Sequence, residues 1–121
     1  MNNAITWFEI PTVDIQRARA FYETVLDKSL RTVPKAEPVY LFPHDVSAVG
    51  GSLIQRKEQQ PSGAGVTVYL RVEGSVREAE QRVAPAGGTV LVPEMSIPGV
   101  PGTLFVLKDT EGNCVGIHGG F

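Results

Sequence analysis

Cysteine, clustered positive charge and long apolar stretches are all scarce in this sequence of 121 residues. Its single cysteine, Cys114, cannot form a disulfide within the chain, which favours a reducing, cytoplasmic location. The formal net charge is −2 and no basic run is longer than Arg56–Lys57, so nucleic-acid binding is not expected. No apolar run approaches the ~18 residues of a membrane-spanning helix, which argues against a membrane partner.

The sequence does contain an internal repeat. Val13-Asp14 corresponds to Val72-Glu73, Ala20 to Ala79, and Val33-Pro34 to Val92-Pro93, always at the same offset. A half-chain of about 60 residues cannot easily bury its own apolar face, so the two copies are predicted to share one core. The chain is therefore interpreted as a single domain, with module one at 4–56, a linker at 57–64 and module two at 65–121.

Each copy has the pattern of a strand, a helix and three further strands, which predicts an α+β fold. Asp14 is the expected N-cap of the first helix, and the spacing of Ser75 and Glu78 is that of a capping box at the start of the second. The first helix carries an apolar stripe made of Ile15, Ala18, Phe21, Tyr22, Val25 and Leu26. Alternation and turn residues predict strands at 5–10, 30–34, 39–42, 49–55, 66–72, 89–92, 103–107 and 114–118. Between two of them, the Pro- and Gly-rich segment 93–102 is predicted to be a shaped loop.

Two segments carry a family resemblance. Val13–Tyr22 and Lys108–Ile117 resemble the opening and closing motifs of the vicinal oxygen chelate superfamily, which includes glyoxalase I, bleomycin resistance proteins and extradiol dioxygenases. Phe8–Pro11 and Gly87–Gly88 resemble a glyoxalase-like subgroup without an assigned reaction. The resemblance implies two βαβββ modules that form a half-open, cup-shaped mixed sheet with helices on the outer face. It also implies a homodimer, because small members commonly pair to complete their pockets.

Catalytic members of this superfamily hold a divalent metal in the cup, as a Lewis acid or to activate dioxygen. The corresponding ligand positions here are Trp7, Thr67, Gly116 and the strand 49–55, where only Gln55 offers a side-chain oxygen. Indole is no metal ligand, threonine is a poor one and glycine has no side chain. No metal site and no cofactor are therefore predicted, and a divalent metal would need relocated ligands.

Strand alternation predicts which side chains line the cup instead. These are Trp7, Glu9, Thr67, Tyr69, Arg71, Cys114 and His118. They combine aromatic walls with a few polar groups, the usual composition of a small-molecule site. Glu9, Tyr69 and His118 are the candidate catalytic residues.

Several of these residues have a plainer interpretation. Trp7 is also interpreted as a plug of the cup, Glu9 as the partner of Arg71 or another cation, and Cys114 as a small buried hydrophobe. His44, in the turn Phe42–Asp45, is interpreted as structural.

The sequence thus leads to two classes of function. The first is a glyoxalase/bleomycin-resistance-like protein that binds a small organic molecule in the cup without the family metal. The alternative is a lyase, isomerase or dioxygenase of the superfamily that uses relocated ligands or metal-free acid/base catalysis through Glu9.

Overall fold

The computed structural model describes residues 3–34 and 38–121; residues 35–37, inside the predicted module one, lie outside the described part. Ten helices and strands follow one another in these described residues. They are β1 (Trp7–Pro11), α1 (Ile15–Leu26), β2 (Arg31–Thr32), β3 (Val39–Leu41), β4 (Gly50–Ile54), β5 (Tyr69–Arg71), α2 (Val76–Val83), β6 (Thr89–Met95), β7 (Thr103–Lys108) and β8 (Cys114–Gly119). No helix in the described ranges combines the length and hydropathy that a membrane span requires.

The two halves have the same topology. The first sheet has the strand order β1-β4-β3-β2 and the second has the order β5-β8-β7-β6. In each, the first strand is parallel to the last and the other pairs are antiparallel. This confirms the predicted α+β fold of two βαβββ modules. Neither sheet closes in the described part of the chain, so β1 and β2 are the edge strands of the first sheet and β5 and β6 those of the second.

Both helices begin where their caps predict. The Asp14 carboxylate accepts a hydrogen bond from the Arg17 N–H, and the Ser75 hydroxyl accepts one from the Glu78 N–H. All six residues of the predicted stripe on α1 are buried. They join Leu53, Leu70, Phe105, Ile117 and other residues of both halves in one apolar cluster, so the halves share a core.

The turn between β7 and β8 fastens module two to the start of α1. The Glu111 carboxylate accepts hydrogen bonds from the N–H groups of Val13 and Asp14, at 2.8 and 2.7 Å. The Tyr22 hydroxyl donates to Asp109 Oδ2 at 2.6 Å. Burial, reinforced by the Asp109 carboxylate, raises the pKa of Tyr22 well above its usual range, so the hydroxyl stays a donor. The two motifs that carry the family resemblance therefore bind each other.

All eight strands differ from their predicted bounds by at least one residue, and the largest shifts of a single boundary are in β5 and β6. The strand predicted at 30–34 is paired only as β2, at Arg31–Thr32. The predicted strand at 66–72 is shortened to β5, because its register with β8 covers only Tyr69 to Arg71, with one flanking hydrogen bond at Val68 and one at Val72. Conversely, β6 continues to Met95, into the predicted loop. Pro93 is tolerated there because β6 is an edge strand with two register shifts, where a missing N–H costs little.

Candidate functional site

The helices pack against one face of each sheet, and the opposite face carries the predicted site residues. We call this opposite side the open face: Trp7, Glu9 and Gly50 in the first sheet, and Tyr69, Arg71, Gly116 and His118 in the second. Register pairs Trp7 with Gly50 and Tyr69 with Gly116, so each aromatic residue has a glycine beside it on the neighbouring strand. Trp7 is 45% exposed and Tyr69 is 46% exposed. Large apolar rings are therefore presented to solvent on both open faces.

On the first open face, Trp7 meets His44. Their ring centroids are 6.1 Å apart and the ring planes are nearly perpendicular, at 83°. The imidazole covers Gly50, where a Cβ atom would collide with the ring. Trp7 is too exposed to plug a closed space, and His44 lies on the open face rather than only in a turn. Gly50, the register partner of Trp7, is the feature of the sequence that could have indicated a ring lying over β4.

Glu9, on the same face, is held by Arg56. Both guanidinium NH2 groups donate to the Glu9 carboxylate, each at 2.8 Å. This confirms the interpretation of Glu9 as the partner of a cation, although the cation is Arg56 and not Arg71. The hydrogen bond from Arg56 lowers the pKa of the Glu9 carboxyl, against a smaller opposing effect of desolvation. A carboxylate stabilised in its charged form is a weaker general base.

On the second open face, Tyr69 lies over Gly116, where a Cβ atom would collide with the phenol ring. The aromatic ring thus covers the strand position where the resemblance places a metal-ligating carboxylate. Arg71 stacks on the Phe121 ring at 4.7 Å from its centroid and makes a long ion pair of 3.6 Å with Glu73.

His118 also belongs to the second open face. Its Nε2 lies 2.8 Å from the carbonyl oxygen of Pro101, and its ring meets Phe121 at 4.7 Å between centroids. Because a carbonyl can only accept, Nε2 carries the hydrogen and His118 holds the loop before β7. The remaining two predicted residues are less prominent: Thr67 precedes β5 and Cys114 is half-buried at the start of β8.

The predicted residues therefore form two groups. In the described part of the chain, no hydrogen bond, ion pair or ring contact joins Trp7 or Glu9 to Tyr69, Arg71 or His118. Sequence alternation predicts one cup for all of them, and the structure places them on two sheets of one chain.

The positions of a family-type metal are occupied by residues that do not fit one. Gln55 offers the one side-chain oxygen that is expected as a metal ligand in the predicted strand 49–55. That oxygen accepts a hydrogen bond from the Ile15 N–H at 3.0 Å and so helps to cap α1. Across residues 3–34 and 38–121, no group of three or more His, Cys, Asp and Glu side chains is placed to hold a metal ion. A shallow cleft of about 320 Å³, lined by Thr12, Val13, Gln55, Arg56, Lys57 and Gln60, lies at the ends of β1 and β4.

Known proteins with this fold were found by comparison. A family model described as bleomycin resistance protein-like N-terminal matches residues 4–26. A glyoxalase/bleomycin resistance protein from Albidiferax ferrireducens superposes with a TM-score of 0.76 at 16% identity, covering 98% of this chain and 100% of that one. A glyoxalase-related enzyme from Fulvimarina pelagi superposes at 0.69 and 14% identity, covering 98% and 89%. A fosfomycin resistance protein from Listeria monocytogenes does so at 0.66 and 13% identity, covering 100% and 96%. No curated protein matches the sequence.

These similarities confirm the predicted resemblance to the vicinal oxygen chelate proteins as a likeness of fold. The superposition extends over almost the whole chain, from the first module to the last strand. Identities of 13 to 16% leave the reaction and the ligand of this chain open.

Proposed function

We propose that this chain, which has the fold of the glyoxalase/bleomycin resistance proteins, binds a small organic molecule on its open faces without a metal ion. The observation that carries the proposal is the pair of aromatic residues, Trp7 and Tyr69, each nearly half exposed beside a glycine. Exposed aromatic rings on rigid strands can bind planar apolar groups. The ring side chains lose little conformational entropy when a ligand packs on them, and they bury a large apolar surface.

The polar groups around the rings indicate what else such a ligand would carry. Arg71 has a half-exposed guanidinium whose ion pair with Glu73 is long, so a ligand carboxylate or phosphate is a suitable partner. Glu9 is already neutralised by Arg56 and adds no free negative charge to the first open face. A planar, anionic or neutral molecule is therefore favoured over a cation.

We also propose that the site works without a metal ion, because the side chains at the expected ligand positions are unsuitable as metal ligands. Trp7, Thr67 and Gly116 stand where the resemblance places ligands, and Gln55 is used to cap a helix. The alternative is a lyase, isomerase or dioxygenase that uses relocated ligands or Glu9 as a base. Catalysis through Glu9 has less support, because the hydrogen bond from Arg56 lowers the pKa of the Glu9 carboxyl and makes the carboxylate a weaker base.

A homodimer completes the proposed site. With β1 and β5 both edge strands of the described sheets, a second copy is the partner that would cover them and bring Tyr69 of one protomer towards Trp7 of the other. The half-exposed free cysteine suits a reducing, cytoplasmic location.

Ligand-observed NMR with a library of planar carboxylates and phenols tests the proposal. Wild-type protein is expected to bind members of the library, and Trp7→Ala or Tyr69→Ala is expected to weaken binding by ten-fold or more, since each ring supplies about 1.5 kcal/mol of contact or more. Leu91→Ala removes an exposed apolar side chain from the edge strand β6, where no aromatic ring is lost, and is the matched control.

Elemental analysis and a thermal-shift series with Ni²⁺, Zn²⁺, Mn²⁺ and Fe²⁺ test the metal-free part separately. No stoichiometric metal and no metal-dependent shift are expected. A stoichiometric metal whose stabilising effect is removed by chelator would overturn it and favour the lyase or dioxygenase alternative.

A further inference from the structure

We infer that His44 is the hydrogen-bond acceptor of the proposed binding site, and that its Nε2 selects ligands whose aromatic ring carries an O–H or N–H donor. This inference rests on the proposed function and specifies the ligand class: phenols and N–H heteroaromatic compounds. It assigns a binding role to a residue that sequence reasoning interprets as structural.

The tautomer of His44 follows from its neighbour. Nδ1 of the ring lies 2.8 Å from the backbone carbonyl oxygen of Asp45. A carbonyl oxygen only accepts hydrogen bonds, so Nδ1 must carry the hydrogen. In the neutral ring, Nε2 then has a lone pair and can only accept. No hydrogen bond engages Nε2 in the part of the chain that the structure describes.

Gly50 determines where this lone pair is placed. A Cβ atom at residue 50 would collide with Nε2 and Cδ2 of the His44 ring, so the imidazole rests directly on the backbone of β4. Any larger residue at this position would push the ring off the open face. The Asp45 carbonyl and the backbone of Gly50 thus hold the imidazole from two sides. Supporting contacts of this kind fix the orientation of a residue that contacts a ligand.

Trp7 supplies the surface on which a ligand ring would pack. It is paired in register with Gly50, and its indole meets the imidazole nearly at a right angle. A perpendicular pair of rings forms a corner, with an apolar wall on one side and an acceptor nitrogen on the other. An aromatic ligand against the indole would direct a donor on its rim towards Nε2, whereas a ligand without a donor would leave the nitrogen desolvated.

Two fluorinated probes of nearly the same shape, 4-fluorophenol and 4-fluoroanisole, test the inference by ¹⁹F NMR titration. The phenol can donate to Nε2, and the methyl ether cannot. Wild-type protein is expected to bind the phenol about three- to ten-fold more tightly, the difference that one neutral hydrogen bond provides.

Three variants separate the acceptor from the ring and from the loop. His44→Phe retains a ring and removes both nitrogens. His44→Asn retains a side-chain donor for the Asp45 carbonyl and removes the distal acceptor. Gly50→Ala retains the imidazole and displaces it. All three are expected to bind both probes with equal affinity, and Leu91→Ala is expected to keep the preference for the phenol. In ¹⁵N-labelled wild-type protein, the long-range ¹H–¹⁵N spectrum is expected to show His44 protonated at Nδ1.

The possible failures are distinct. If wild-type protein binds both probes equally, or if the preference survives in His44→Asn and His44→Phe, the inference is wrong while the proposed function stands. A spectrum showing His44 protonated at Nε2 would also overturn it. If neither probe binds the wild-type protein, the inference and the proposed aromatic site fail together.

Discussion

At the scale of single residues, Glu111 is the buried acid that links the two modules. Its side chain is fully buried and its carboxylate is paired with Arg17 at 2.8 Å. Burial alone would raise the pKa of Glu111. The hydrogen bonds from Arg17, the backbone N–H of Asp14 and the Thr110 hydroxyl outweigh this and lower the pKa to about 2. Relative to the protonated form, the carboxylate of Glu111 is therefore stabilised in the folded chain more than in the unfolded chain.

This difference predicts an acid dependence of stability. Because the pKa of Glu111 is lowered on folding, its contribution is present above the ordinary value of 4.5 and is lost as the pH falls towards about 2. The loss amounts to about 3 kcal/mol in the free energy of unfolding. Urea titrations between pH 5 and pH 2 measure it. Glu111→Gln is expected to be less stable at pH 7 and to lose most of this pH dependence.

Glu58→Gln is the control, because Glu58 is an exposed acid of the linker. It is expected to follow the wild-type curve throughout. An unchanged acid dependence in Glu111→Gln would mean that other carboxyl groups, and not Glu111, cause the loss of stability in acid.

At the scale of structural elements, the loop between β6 and β7 borders the second open face. His118 donates to the Pro101 carbonyl, and Gly102 lies so close to Gly119 that a Cβ atom would collide with its carbonyl oxygen. Two glycines of this loop, Gly99 and Gly102, have positive φ angles of 82° and 74°. They differ in their surroundings, since a Cβ at Gly99 would meet nothing within 4 Å.

This contrast makes a matched pair of substitutions. Gly99→Ala is expected to cost about 1 kcal/mol of stability, the penalty of a left-handed alanine. Gly102→Ala is expected to cost about 3 kcal/mol or more, because the backbone of residue 119 must also move. Urea unfolding measures both. Equal losses in the two variants would show that the loop is not packed on the end of β8.

At the scale of the whole molecule, the two open faces belong to two sheets of one chain. If a second copy completes the site, Trp7 comes from one protomer and Tyr69 from the other. Sedimentation velocity is then expected to give a species of twice 13.0 kDa.

A mixing experiment tests whether the site is shared. Trp7→Ala and Tyr69→Ala homodimers each lack one ring at both sites and are expected to bind poorly. After the two variants exchange subunits, half of the dimers are mixed and each has one intact site, so roughly a quarter of all sites should regain wild-type affinity. A mixture that stays inactive, although mixed dimers form, would place the whole site within a single protomer.

Glu9 and His44 show how far the sequence alone predicts the site. Alternation along β1 predicts correctly that Glu9 shares a face with Trp7, and that a cation pairs with it. The identity of that cation, Arg56, depends on a contact across 47 positions of the chain. His44 comes onto the open face through a turn whose path no periodicity describes. Long-range partners of this kind follow from the path of the backbone, which a local pattern does not contain.

The sequence by itself determined the repeat, the capped helices, the apolar stripe of α1 and the succession of one strand, one helix and three strands along each module. These features follow from local periodicity and hydrogen-bonding capacity, which neighbouring residues encode directly. Only the tertiary structure decided that the predicted site residues divide between two sheets, that rings cover Gly50 and Gly116, and that the family-like motifs bind each other. Those arrangements depend on packing between distant segments, because the shared core determines which faces turn inward and which remain open.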